Sequence, residues 1–162
     1  MRSKALFLIS ALLICSLISN SSIFAQSKDR NNPTPLQSRV ITGVIAPIGT
    51  VYWYKLTAGP GELVIEMQVV GEAAYFGTEA ADAQFLLYDK DTKEFMNESI
   101  SFPSQPPGAK PNRKNKSLKL QSKQEFLLAI KLGERMGPRN GPGAAYMIRF
   151  KGAIYLPLKE SE

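Results

Sequence analysis

The sequence predicts an all-β chain: an antiparallel, jelly-roll-like β-sandwich of about eight strands, preceded by a secretory signal peptide. Three observations predict it. Apolar and polar residues alternate with a period of two in one stretch after another. Gly, Pro, Asn and Asp break these stretches at short intervals. Beyond the N-terminal leader, no stretch has the spacing of an amphipathic helix. Short alternating strands with frequent turn signals suit a sandwich or a barrel, and no fixed-period repeat suggests a solenoid or a propeller.

The chain has 162 residues, one Cys, no His and a formal charge of +6, a length suited to a single domain. Arg2 and Lys4 open the leader, residues 5–18 are apolar apart from Ser10 and Ser16, and residues 19–25 are more polar and end in Ala. This is the layout of a signal peptide over residues 1–25, with cleavage near Ala25/Gln26. The apolar run falls short of the ~20 residues of a membrane span. Cys15 sits inside that run behind the large Ile14, so it lacks the setting of a lipidation site. Cleavage leaves no membrane span, disulfide, thiolate or imidazole. The exported product, secreted or periplasmic, then depends on core burial alone, which a domain of this size can supply.

Residues 26–38 are polar, contain two prolines and have no apolar period, which predicts a flexible linker. The sandwich is expected over residues 39–158. Residues 39–47 place Ile41, Gly43 and Ile45 on one face. Residues 50–57 place Tyr52, Tyr54 and Leu56 on one face, with Trp53 and Lys55 on the other. Ala58-Gly59-Pro60-Gly61 reads as a turn. Residues 62–70 then alternate cleanly, with Leu63, Ile65, Met67 and Val69 inward, as in a half-buried antiparallel strand. A loop over residues 71–81 carries Tyr75, Phe76 and Gly77. Residues 82–88 form a strand with Ala83, Phe85 and Leu87 inward. Asp89 to Thr92 form a β-turn, since Asp accepts bonds from the backbone ahead of it, and residues 93–100 are the partner strand.

Residues 101–115 hold four prolines and a basic cluster and cannot be a central strand. Residues 116–121 are a short strand and residues 124–132 a long one, with Phe126, Leu128, Ile130 and Leu132 inward. A Gly/Pro-rich connection leads to residues 145–151, with Tyr146, Ile148 and Phe150 inward. Residues 154–158 add an edge strand limited by Pro157, and residues 159–162 are a charged tail.

ITG, followed after a gap by VYWYKLTAGPGELVIEMQV, resembles the opening of the bacterial pre-peptidase C-terminal domain. ADAQFLLYDKDTKE is similar to its next signature, and EFLLAIKL and AAYMIRF to its last two strands. The resemblance covers residues 39–152. It implies a jelly-roll-like sandwich of the kind appended to exported enzymes, where such domains assist secretion or bind matrix and polysaccharide. There is no peptidase domain here, so the chain would be a stand-alone copy. Thr50, Val51 and Tyr52 stand where the family carries acids, and Gln84 stands in place of a second Asp. These departures remove the ligands that calcium-binding members would use.

Several residue groups are candidates for function. Without His or Cys, catalysis would need paired carboxylates across a cleft, and alternation puts Glu62, Glu66 and Glu98 on ordinary solvent faces. The expectation is therefore a non-enzyme without a cofactor. Asp89 and Asp91 are the best candidates for Ca²⁺, but an ion needing six to eight oxygens would have to draw mostly on backbone, and both residues also suit a plain turn. Trp53, with Tyr75 and Phe76 nearby, forms a candidate stacking platform for sugar, although aromatics of this size more often pack under loops.

Charge is unevenly distributed. Residues 62–98 carry a net −7 and residues 99–162 a net +8. Lys110, Arg113, Lys114 and Lys116 form a basic stretch that suits an anionic polymer or is simply solvated. Nothing resembles a nucleic-acid-binding motif. The leading expectation is a secreted, non-catalytic binding or accessory module for an extracellular polysaccharide or a partner protein. A structural envelope protein is the alternative, and a small carboxylate hydrolase ranks third.

Overall fold

The computed structural model describes residues 26–44, 49–70, 81–102, 110–133 and 145–157. The signal peptide, Tyr75, Phe76 and the charged tail lie outside them. Eight strands are present: β1 (Thr34–Pro35), β2 (Val40–Val44), β3 (Val51–Val70), β4 (Ala81–Asp89), β5 (Glu94–Phe102), β6 (Asn112–Leu120), β7 (Gln124–Leu132) and β8 (Ala145–Tyr155). No helix occurs among the described residues.

β3 organises the sandwich. The expected turn at Ala58–Gly61 is instead a bend within one 20-residue strand. Gly59 and Gly61 take positive φ values of 81° and 119°, a region that glycine enters without steric cost. The register against β8 jumps between Ala58 and Leu63, as at a bulge that turns a strand from one sheet into another. The residues that would close a hairpin here deflect a strand that keeps its direction.

The two halves of β3 have different neighbours. Residues 51–58 pair antiparallel with β7, and β7 continues to β4 and β5. Residues 61–70 lie between β6 and β8, and β8 continues to β2. One sheet is thus β1-β3-β7-β4-β5 and the other β2-β8-β3-β6, with β3 common to both. Between them lie Leu56, Leu63, Ile65, Met67, Phe85, Leu87, Phe126, Leu128, Ile130, Ile148 and Phe150, all fully buried. Period-two alternation assigned all of these except Leu56 to the interior; for Leu56 it gave only a face shared with Tyr52 and Tyr54.

Three expectations are corrected. Residues 26–38 are not a free linker. Thr34 and Pro35 pair in parallel with Tyr54 and Lys55, Ser27 bridges Trp53, and Leu36 is 2% exposed. Burying a Leu side chain contributes roughly 1.5–3 kcal/mol, enough to hold a short polar segment on the free edge of β3. The strand expected from residue 116 begins at Asn112 and takes in much of the basic stretch. The prolines all precede Asn112, so every residue of β6 keeps its backbone donor. β8 also continues through Gly152 (φ 79°) to Tyr155, where two separate strands were expected.

Candidate functional site

The outer faces of the two sheets differ in chemistry. On the sheet containing β8, Glu66 of β3 stands beside Arg149 and Lys151. Lys151 Nζ lies 2.6 Å from Glu66 Oε1, and Arg149 Nη1 lies 3.9 Å from Oε2. The hydrogen bond from Lys151 holds the Glu66 carboxyl below the usual range. Ser117 donates to Glu62 across β3 and β6. This is a solvated ladder of compensating charge.

On the outer face of the other sheet, aromatic and apolar side chains stand among Lys55, Thr57, Gln84, Glu125 and Lys131. Register places Trp53, Ala129 and Leu86 in one row across β3, β7 and β4. Tyr88 occupies the next row, opposite Leu127. The Trp53 and Tyr88 rings lie 6.3 Å apart at 37°. Beneath them Ala129 is 2% exposed and Leu86 7%, although both point away from the core. Arg30, from the segment that packs along β3, places its guanidinium carbon 5.3 Å from the Trp53 ring centre and 5.7 Å from that of Tyr88. Burial pushes the Tyr88 hydroxyl up, the nearby Glu94 adds to this, and Arg30 opposes both.

Further along the same face, Tyr155 pairs opposite Thr57 and is 45% exposed. Lys123 Nζ lies 4.3 Å from its ring centre. A groove of about 520 Å³ opens here between Pro35, Lys55, Thr57, Gln124, Tyr155 and Pro157. Thr57 is four residues from Trp53, which is roughly 13 Å along a strand. The face therefore carries aromatic side chains near both ends, with Lys55 and Thr57 between them.

The sequence-derived candidates fare unequally. Trp53 is half-buried in the pair with Tyr88, whereas Tyr75 and Phe76 fall outside the described residues. Sequence reasoning does not single out Tyr88 or Tyr155. For Tyr88 the signal is its outward position beside the inward Ala83, Phe85 and Leu87; Tyr155 falls in a short edge segment to which alternation assigns no inward set. Lys110 is exposed just before β6.

The basic stretch is not one patch, because alternation along β6 divides it. Arg113 opposes Gln68 on the outer side, while Lys114 and Lys116 oppose the buried Met67 and Ile65. Both lysines reach Glu98 of β5 at 3.2 Å. Glu98 is not on a solvent face either; it opposes Phe85 in the inner row. Burial pushes its carboxyl up, but hydrogen bonds from Lys116 and Lys114 outweigh this and hold it below the usual range. These charges close the seam between two edge strands.

The calcium candidates, Asp89 and Asp91, serve a turn. Asp89 Oδ1 accepts the backbone N–H groups of Asp91 and Lys93, each at 2.9 Å, and Asp91 faces Lys90 at 3.9 Å. Oδ1 of Asp89 is thus engaged in shaping its own turn. No group of three or more His, Cys, Asp or Glu is placed to hold a metal among the described residues. Likewise, no helix among them is long and apolar enough to cross a membrane.

This fold and face define an aromatic-faced β-sandwich. No protein-family model and no curated protein sequence matches the chain. Among solved structures, it is similar to a family 35 carbohydrate-binding module from an environmental isolate, at 17% identity and a TM-score of 0.49, over 85% of this chain and 94% of that one. It is also similar to part of BtGH115A, a family GH115 4-O-methyl-α-glucuronidase with specificity for decorated arabinogalactans. There the identity is 10% and the TM-score 0.45, over 69% of this chain and 14% of that one, so this chain spans a small fraction of that enzyme's length. A third is a periplasmic inhibitor of g-type lysozyme from Aeromonas hydrophila, at 14% identity and a TM-score of 0.39, over 74% of this chain and 96% of that one.

Proposed function

We propose that the chain is an exported, non-catalytic β-sandwich module of the pre-peptidase C-terminal type that binds an extracellular polysaccharide. The ligand lies along the outer face of the sheet β1-β3-β7-β4-β5. One observation carries this reading. The outward face of this sheet carries Trp53, Tyr88 and Leu127, each partly open to solvent, and Tyr155, 45% exposed. Partly exposed aromatic side chains beside polar groups suit a stacking surface for sugar. The flat rings offer large, rigid contact area to the C–H faces of pyranose rings, and Lys55, Thr57 and Gln124 supply hydrogen-bonding groups beside them.

The test is retention of the folded protein on immobilised polysaccharides, neutral and acidic. Tyr155→Ala removes a half-exposed ring with little effect on the core. It is expected to weaken binding about tenfold, equivalent to ~1.4 kcal/mol, with an unchanged melting temperature. Failure of the wild-type protein to bind any polysaccharide would overturn the proposal in favour of a structural role in an envelope.

A further inference from the structure

We infer that the ligand of this face is an acidic polysaccharide, and that Arg30, Lys55 and Lys131 recognise its carboxylate or sulfate groups. The inference rests on the polysaccharide-binding reading and goes beyond it by naming the ligand's charge and the residues that read it.

Among the described residues, four cations are held in ion pairs between strands. Lys114 and Lys116 are neutralised by Glu98, and Arg149 and Lys151 by Glu66. The cations around Trp53 are different. Lys131 opposes Val51 in the row on one side of Trp53, and Lys55 occupies the row on the other side. Arg30 lies over Trp53 itself. Among the described residues, none of these three has a carboxylate within 4 Å. The acids of this face include Asp82, in the β4 row beyond Gln84, which itself pairs opposite Lys131; Asp82 accepts from the Ser101 hydroxyl. Glu94 lies on the edge strand opposite Tyr88, and Glu125 lies opposite Thr57, beside the groove. Asp29 uses Oδ1 to accept the Asn31 N–H.

Three positive charges from three different parts of the chain thus flank the Trp53–Tyr88 pair: Arg30 from the segment before β1, Lys55 from β3 and Lys131 from β7. The rows of Val51 and Lys55 are four residues apart along β3, roughly 13 Å, so the cations are spread along the face and not gathered at a single point. Such a spread suits a polymer that carries charge on repeated units.

Arg30 has a particular geometric role. Its guanidinium lies within cation–π reach of both rings, which restrains the side chain. A guanidinium so pre-organised pairs with carboxylate or sulfate through two parallel hydrogen bonds and loses less side-chain entropy in doing so. A neutral glycan could stack on these rings but would leave the three charges unanswered.

The test measures binding of the intact exported protein to polygalacturonate, dextran sulfate, unmodified dextran and poly-glutamate, at low and high salt. Polygalacturonate or dextran sulfate should bind at least tenfold more tightly than dextran, and the difference should shrink in high salt. Preference between the two distinguishes carboxylate from sulfate. Arg30→Gln should weaken acidic-polymer binding about tenfold, and Arg30→Gln/Lys55→Gln/Lys131→Gln should abolish it. Arg113→Gln/Lys119→Gln, on the opposite face, should leave it intact. All five positions lie at the surface, and an unchanged melting temperature confirms that each variant is folded.

Wild-type binding by the triple variant would overturn the inference, as would an equal loss in the opposite-face control. Poly-glutamate binding as tight as that of polygalacturonate would also overturn it, because charge alone would then be the ligand. Tight dextran binding lost only in Tyr155→Ala would overturn the acidic inference while leaving the aromatic face standing. Acidic-polymer binding lost in Arg30→Gln but untouched by Tyr155→Ala would overturn the aromatic reading instead.

Discussion

Tyr146 shows how much one polar atom can organise inside an apolar core. Its hydroxyl lies 3.0 Å from that of Tyr54 and accepts from Gln26 Nε2 at 2.7 Å. Burial and the neighbouring Tyr54 raise its pKa far above that of an ordinary tyrosine, so it stays neutral and can both donate and accept. Gly43, its partner on β2, has no side chain, and a Cβ there would meet the Gln26 amide and the Tyr146 hydroxyl. Tyr146→Phe removes a hydroxyl with two partners and leaves that of Tyr54 under-satisfied. The expected cost is about 1–3 kcal/mol, read as a lower midpoint in urea with an unchanged slope. Alternation along residues 145–151 marked Tyr146 as inward. Its hydrogen-bond partners come from distant parts of the chain, Gln26 and Tyr54, and no local pattern announces such a meeting.

At the scale of elements, the bend of β3 is the most demanding piece of backbone. A Cβ at Gly59 would run into the Ser122 carbonyl and approach Leu120 at 2.9 Å, on a residue already at φ 81°. Gly59→Ala should therefore destabilise by at least ~1–3 kcal/mol. A thermal melt would show the loss, while Gly49→Ala, which meets no atom within 4 Å, should cost less despite its own positive φ. The bend also shows what was legible. The alternation on either side of it identified both halves as strands and gave the inward residues of the second half. Their union into one strand was not legible, because Gly-Pro-Gly serves a hairpin and a sheet-switching bend equally well. Residues 26–38 escaped for a related reason. A two-residue pairing has no period to detect, and the one buried apolar residue, Leu36, stands among polar neighbours. β6 was shortened because its lysines disguise an inner row in which Lys114 and Lys116 alternate with outward Arg113 and Asn115. The candidate site was half legible. Trp53 stands out as the only tryptophan, but its partners Tyr88 and Arg30 reach it from β4 and from the segment before β1, and Tyr155 joins the same face through pairing opposite Thr57.

For the whole molecule, part of the charge imbalance along the sequence is resolved by strand pairing. Glu66 meets Arg149 and Lys151 across β3–β8, and Glu98 meets Lys114 and Lys116 across the seam between β5 and β6. Glu98 ties that seam to pH. Its carboxyl titrates lower in the folded chain than in the unfolded one. The stabilisation it brings is therefore present above the ordinary glutamate pKa and is lost as pH falls through the lower folded value. Glu98→Gln should be less stable than wild type at pH 7, with the difference narrowing below about pH 4.3, as measured by melting temperature against pH. The same whole-molecule view gives β3 a mechanical meaning. Because one strand belongs to both layers, neither layer can open and leave the other intact. Hydrogen exchange at Leu56 and at Ile65, on opposite sides of the bend, should report the same opening free energy. Two separable layers would give two values. A module built this way gains a cooperative transition without any disulfide, which suits a chain whose 26–162 region contains no cysteine.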